Sequence, residues 1–209
     1  MQTNHDWDAR YVRGETGWNL HAPSPPLLYL LEQLPPEAKT WPILFPGAGE
    51  SPDPAVWYAK GFHGVHVVDV SPTAKANFLN KHPYFPESQY LIQDFFTLDK
   101  PAWRLIIEQT FYCAILPERR REYATTMRNL LVDGGELQGV WFNRTFPQAG
   151  PPFGGDIDSY IEEIQPFLTL LEAYPCTFSA APRAGTEIIM RWKKGHGQVK
   201  TTEGHQPVP

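Results

Sequence analysis

Hydrophobic positions along the chain change their period repeatedly, and the changes divide it into elements. Helical spacing links Leu27, Leu28, Leu31 and Leu34, a stripe expected on the buried face of a helix that opens at Pro25. Ser-Pro pairs stand before three such segments, at Ser24-Pro25, Ser51-Pro52 and Ser71-Pro72. A serine oxygen accepts from the free N–H groups of a first turn, and proline loses nothing at the first helical position. Helices are therefore predicted to start at Pro25, Pro52 and Pro72, with two more at about Pro117–Leu131 and Asp156–Leu171. Apolar runs of strand length fall between them: Pro42–Phe45, Val65–Val70, Gln89–Gln93, Leu105–Glu108 and Glu136–Phe142. Two further strands, at about Cys176–Ser179 and Glu187–Trp192, close the series. Strands alternating with helices predict an α/β fold, a mainly parallel sheet with helices on both faces.

Residues 1–22 are polar and Gly-containing but carry Trp7, Tyr11 and Trp18, aromatics that must cover something. They are expected to form a lid on the domain at residues 23–194. Residues 195–209 have no periodicity and are expected to form a disordered tail.

Charge narrows the partners. The net charge is −5, and the densest basic run, Arg119 to Arg121, is flanked by Glu118 and Glu122. Nucleic-acid binding needs clustered cations, so it is not expected. Two cysteines without a C-x-x-C or Cys/His spacing suit a reducing compartment and no metal site. No apolar run reaches the roughly 18 residues of a membrane span, so a cytoplasmic protein without membrane contact is expected.

The most informative segment runs Ile43-Leu44-Phe45-Pro46-Gly47-Ala48-Gly49-Glu50-Ser51-Pro52-Asp53, a strand, a glycine turn and a helix start. A dinucleotide fingerprint would place its third glycine at Pro52 and a pyrophosphate beside Glu50, whose charge repels it. A ligand carrying an ammonium and a sulfonium suits a carboxylate there. Twenty residues past Gly49, Asp69 ends the second strand, where a carboxylate can accept from both ribose hydroxyls. Asp94-Phe95-Phe96 follows the third strand, offering an acceptor for an adenine amino group and rings to flank the purine. Carboxyl ends of consecutive strands are where open α/β sheets bind ligands.

Taken in order, these residues resemble the thiopurine S-methyltransferase superfamily, which includes halide and thiol methyltransferases. The resemblance covers roughly residues 7 to 193. It runs from Trp7, Arg10-Tyr11 and Thr16-Gly17-Trp18 through Pro46-Gly47-Ala48-Gly49 and Val68-Asp69-Val70-Ser71-Pro72 to Gln93-Asp94-Phe95-Phe96. It continues in Glu108 to Ile115, Pro117 to Arg120 with Tyr123, and Gly150-Pro151-Pro152-Phe153. The family implies a class I methyltransferase fold, a Rossmann-like seven-stranded sheet with the last strand antiparallel, and S-adenosylmethionine as methyl donor. It implies cofactor contacts from Trp7, Tyr11, Trp18, Gly47, Gly49, Asp69, Val70, Asp94, Phe95 and Glu108. Gln109, Arg120, Pro152 and Phe153 are implied to face the acceptor. Gln109 stands where thiopurine-methylating members carry a basic residue, which points away from thiopurine itself.

No Ser-His-Asp, Cys-His or paired-carboxylate signature marks a base. A thiol of pKa about 8.5 already supplies some thiolate at neutral pH. The sequence therefore predicts a small soft acceptor, a thiol, sulfide or halide, and a monomer or weak homodimer. An O- or N-methyltransferase of a small metabolite and a non-catalytic binder of the same cofactor stand as alternatives.

Overall fold

The computed structural model describes residues 6–195, so most of the expected tail lies outside the described residues. Seven strands form one sheet: β1 (Ile43–Pro46), β2 (Val65–Asp69), β3 (Tyr90–Ile92), β4 (Trp103–Gln109), β5 (Leu131–Phe142), β6 (Thr169–Pro175) and β7 (Glu187–Lys193). Their order is β3-β2-β1-β4-β5-β7-β6. β7 pairs antiparallel with both β5 and β6, and every other pairing is parallel. Among the described residues six α-helices accompany the sheet: α1 (Trp7–Val12), α2 (Pro25–Glu32), α3 (Asp53–Ala59), α4 (Pro72–Lys81), α5 (Arg120–Leu130) and α6 (Ile157–Ile164).

Alternation along the central strands sends neighbours to opposite faces. Ile43, Phe45, Val65, Val67, Leu105 and Ile107 pack with Leu27, Leu30, Trp57 and Phe78 on the side of α2, α3 and α4. Leu44, Val68 and Ile106 pack with Tyr123, Met127, Tyr160 and Ile164 on the side of α5 and α6. A sheet with two buried faces explains the nearly unbroken apolar runs.

The Ser-Pro pairs act differently from one another. Ser71 caps α4, accepting from the Ala74 amide at 2.9 Å. Ser24 precedes α2 but does not cap it; its amide donates to Asp53 and its hydroxyl accepts from Gln109. α3 begins at Asp53 rather than Pro52, and Ser51 donates to the Asp53 carboxylate at 2.8 Å. The helix expected from Pro117 opens as a 3-10 turn, with α5 proper starting at Arg120.

The largest departures lie in the last third. The helix expected over Asp156–Leu171 stops at Ile164, because Pro166 brings no N–H and crowds the preceding turn. Thr169 to Pro175 is thereby released as β6, in place of the strand expected at Cys176–Ser179. β5 starts at Leu131 rather than Glu136, with an irregular register between Trp103 and Leu105 of its partner β4. The amino-terminal segment is also helical in part. Asp6 caps α1, and Asp8 of α1 accepts from Ser71 Oγ at 2.6 Å and the Thr73 amide at 2.9 Å, which ties the segment to the start of α4.

Candidate active site

The strand order reverses between β1 and β4, and a crevice at the carboxyl ends of the strands follows from that reversal. A cavity of about 710 Å³ occupies it, within the range of cofactor and small-ligand sites. Its wall takes Gly47 after β1, Asp69 and Val70 at the end of β2, Asp94, Phe95 and Phe96 after β3, and Thr110 and Phe111 after β4. Phe142, Arg144, Phe146, Pro151 and Pro152 extend the wall beyond β5, and Arg183 and Thr186 complete it before β7. Trp7, Arg10, Tyr11 and Trp18 close it from the amino-terminal segment.

Two glycines make the first turn possible. Gly47 and Gly49 both have positive φ, at 57° and 54°. A Cβ on Gly47 would overlap the Phe111 ring, and one on Gly49 would overlap the Tyr11 hydroxyl. Gly49 therefore contacts the aromatic segment rather than lining the cavity.

Asp69 is held from its own side. Its carboxylate accepts from the Gly49 amide and the Ser71 amide, both at 2.9 Å, and only 9% of the residue is exposed. Burial raises its pKa, and the two amide hydrogen bonds oppose that. No Lys, Arg or His makes an ion pair with it among the described residues. Asp94 accepts from the Phe96 amide at 3.0 Å and remains exposed beside the cavity. Trp7 and Trp18 meet edge to face at 5.5 Å, Tyr11 and Trp18 at 5.7 Å, and the Arg10 guanidinium lies 4.4 Å from the Trp18 ring centroid.

The other expected residues do not reach the cavity. Glu108 is 1% exposed and accepts from the Phe111 and Tyr112 amides and from the Tyr123 hydroxyl, so it braces the turn after β4 from behind. Burial pushes its pKa up to about 7. Gln109 bonds Ser24 and faces a separate recess of about 30 Å³ that Glu50 and Asp53 share. Glu50, expected to meet a cationic ligand, is paired with Lys81 at 2.5 Å. Arg120 is 5% exposed; it donates to the Gly154 carbonyl at 2.8 Å, pairs with Glu163 at 3.5 Å and lies over the Tyr112 ring. Phe153 packs against Gly150 and its amide donates to the Cys113 carbonyl at 2.7 Å, shaping the segment whose Pro151 and Pro152 form the wall.

Arg119, which stood in the Pro117–Arg120 motif without a role, lines the cavity, as do Arg144 and Arg183, which no motif announced. Arg183 Nη2 donates to the Trp18 carbonyl at 2.7 Å, joining the β7 side to the amino-terminal segment. Cys113 lines the wall with its thiol pushed up to about 12 by burial, so it is neutral near pH 7 and no nucleophile. Among the described residues the wall holds no His, Glu or Lys.

Comparisons with known proteins give the family and the fold. The family described as thiopurine S-methyltransferase matches residues 2–169. A probable thiol methyltransferase 2 of Arabidopsis thaliana is 32% identical over 196 residues, covering 90% of this chain and 84% of that protein. Thiocyanate methyltransferase 1 of Brassica oleracea is 29% identical with the same coverage. Among solved structures, the 1,6-didemethyltoxoflavin-N1-methyltransferase of Burkholderia thailandensis, bound to its substrate and S-adenosylhomocysteine, superposes with a TM-score of 0.67. It is 16% identical, and the match covers 90% of this chain and 84% of that one.

Proposed function

The chain belongs to the thiopurine S-methyltransferase family and is an S-adenosylmethionine-dependent methyltransferase, and on that premise we propose that its acceptor is a small soft nucleophile, a thiol, sulfide or halide. The observation that carries this reading is a cavity wall that, among the described residues, holds no His, Glu or Lys and has both its carboxylates, Asp69 and Asp94, at the end read as the cofactor's. An alcohol or protonated amine needs a base in reach of its proton, whereas a thiol near neutral pH or a halide does not. The names of the plant relatives point the same way.

The residues around the cavity suit the cofactor. Two N–H groups occupy part of the Asp69 carboxylate, which leaves lone pairs for a pair of ribose hydroxyls. Asp94 and Phe95 suit the adenine, and Gly47 with Val70 lets the backbone approach closely. Trp7, Tyr11 and Trp18 cover the ligand and exclude water, as their ring contacts support. S-Adenosylmethionine supplies an electrophilic methyl group when bound. The protein's part is then to hold the acceptor in line with that group, which Pro151, Pro152 and Phe142 are placed to do. Gly49, Glu108 and Phe153 serve as supports for these walls. We assign a cytoplasmic monomer or weak homodimer, in keeping with Cys113 and Cys176 as free buried thiols.

The test is an acceptor panel of alkyl and aryl thiols, sulfide, iodide, phenols and amines, read by S-adenosylhomocysteine formation. Turnover of the sulfur and halide acceptors is expected. Turnover of phenols or amines alone would put the O- or N-methyltransferase alternative in its place.

A further inference from the structure

Charge is distributed unevenly around the cavity. Both carboxylates of its wall lie on one side, Asp69 at the end of β2 and Asp94 after β3, while Arg144 and Arg183 stand on the opposite side, after β5 and before β7. Most of the arginines there are engaged. Arg119 is paired with Glu122 at 2.7 Å, and Arg183 is bound to Trp18 and to Glu187 at 3.4 Å. Arg10 rests against the rings of Trp7 and Trp18. Arg144 makes no ion pair among the described residues.

Its backbone is nonetheless fixed. The Arg144 carbonyl accepts from the Gly155 amide at 3.1 Å, an isolated bridge that pins the turn beyond β5. The guanidinium lies 4.8 Å from the Phe146 ring centroid, and among the described residues its one hydrogen bond runs from Nε to the Thr145 carbonyl at 3.3 Å. An arginine offers five N–H donors in a planar fork that matches a carboxylate edge to edge. Stacked on an aromatic face at the end of a cavity, that fork is oriented before any ligand arrives.

We propose that the acceptor bears a second, anionic group, a carboxylate, and that Arg144 on Phe146 is the residue that selects it. The inference rests on the reading of a small soft acceptor given above. Pairing the anion with Arg144 would hold that end of the acceptor at the β5 side of the cavity and leave its sulfur free to point toward the β1–β3 end, where the cofactor is proposed to lie.

The experiment uses two thiols matched in length, 3-mercaptopropanoate and 3-mercaptopropan-1-ol, and the wild type, Arg144→Ala and Arg144→Lys proteins. Wild type is expected to favour the carboxylate thiol in kcat/KM. Arg144→Ala should raise KM for that thiol about tenfold or more while changing the alcohol less than about twofold, as loss of one charge-assisted pair predicts. Arg144→Lys should restore part of the preference. A second arm needs no turnover: calorimetric titration of the S-adenosylhomocysteine complex with 3-(methylthio)propanoate and 3-(methylthio)propan-1-ol. Tighter binding of the carboxylate, lost in Arg144→Ala with S-adenosylhomocysteine affinity intact, supports the proposal. Equal binding of the two by wild type, or an equal effect of Arg144→Ala on both, overturns it. Discrimination in the binding arm without turnover of either thiol would instead overturn the sulfur-acceptor reading and leave the anion site standing.

Discussion

The two ends of the cavity are built in different ways. At the β1–β3 end, chain turns carry the wall: Gly47 adopts positive φ, Asp69 is clamped by two amides, and Asp94 starts the turn that presents Phe95. At the β4–β7 end, several charged and polar residues named by the motifs stand one layer back. Glu108 braces the Thr110–Tyr112 turn, Arg120 ties α5 to Gly154 and Glu163, and Gln109 is spent on Ser24. On the proposed reading the first end holds the cofactor, a ligand common to many acceptors, and its contacts belong to the backbone frame. The second must suit one acceptor, and it exposes loop residues on a braced scaffold.

This contrast can be broken by experiment. Its most severe test is Arg120→Ala, which strands the Glu163 carboxylate beside Tyr112 and removes the bond to Gly154. We expect a loss of about 2–4 kcal/mol of unfolding free energy by urea denaturation, below the full cost of breaking a buried pair because the Glu163 side chain is partly exposed and keeps its bond from the Tyr112 hydroxyl. Below its melting temperature the folded variant should keep S-adenosylhomocysteine affinity. A stable variant that binds the cofactor poorly would move Arg120 from scaffold to site.

Glu108 sharpens the same point through pH. Its folded pKa of about 7 stands above the ordinary 4.5, so the folded protein keeps this proton where the unfolded chain has released it. Stability from this group is complete below about pH 4.5 and is lost as pH rises to about 7, by up to about 3 kcal/mol. Glu108→Gln should flatten that decline between pH 5 and 8 in urea titrations. Asp53, raised to about 6 by burial, adds its own part of the slope and remains in the variant. Parallel curves for the two proteins would mean that Glu108 is already ionised in the fold.

The third test turns to the other end. Asp69→Ala should weaken S-adenosylmethionine binding by about 1.5–3 kcal/mol, the range for hydrogen bonds to a charged group, with acceptor KM little altered. Calorimetry with a nonreactive analogue reads it directly. An unchanged dissociation constant in a folded variant would shift the ribose site off β2.

The same contrast explains what could be read from the chain. Gly47, Asp69 and Asp94 were legible because backbone geometry demands particular residues at fixed distances from strand ends. The sheet was legible because its two-sided burial writes apolar runs. Arg144 and Arg183 were not, since a loop arginine carries no periodic or steric signature and only the three-dimensional path of the loop decides where it points. Glu108 and Arg120 were recognised by their place in motifs, but motif position does not reveal which side of a turn a side chain takes. β6 was misplaced because leucines at 170 and 171 fit either period, and Pro166 was the one local cue that separated them.

Asp8 of α1 has further reach. The helix it belongs to has six residues, too few to persist alone in water, and it is held at Ser71 and Thr73 across more than sixty residues of chain. Such a piece docks late and releases early compared with the sheet beneath it. The aromatic cover therefore owes its place to contacts far along the chain, Asp8 with Ser71 and Thr73 on one side and the Trp18 carbonyl with Arg183 on the other.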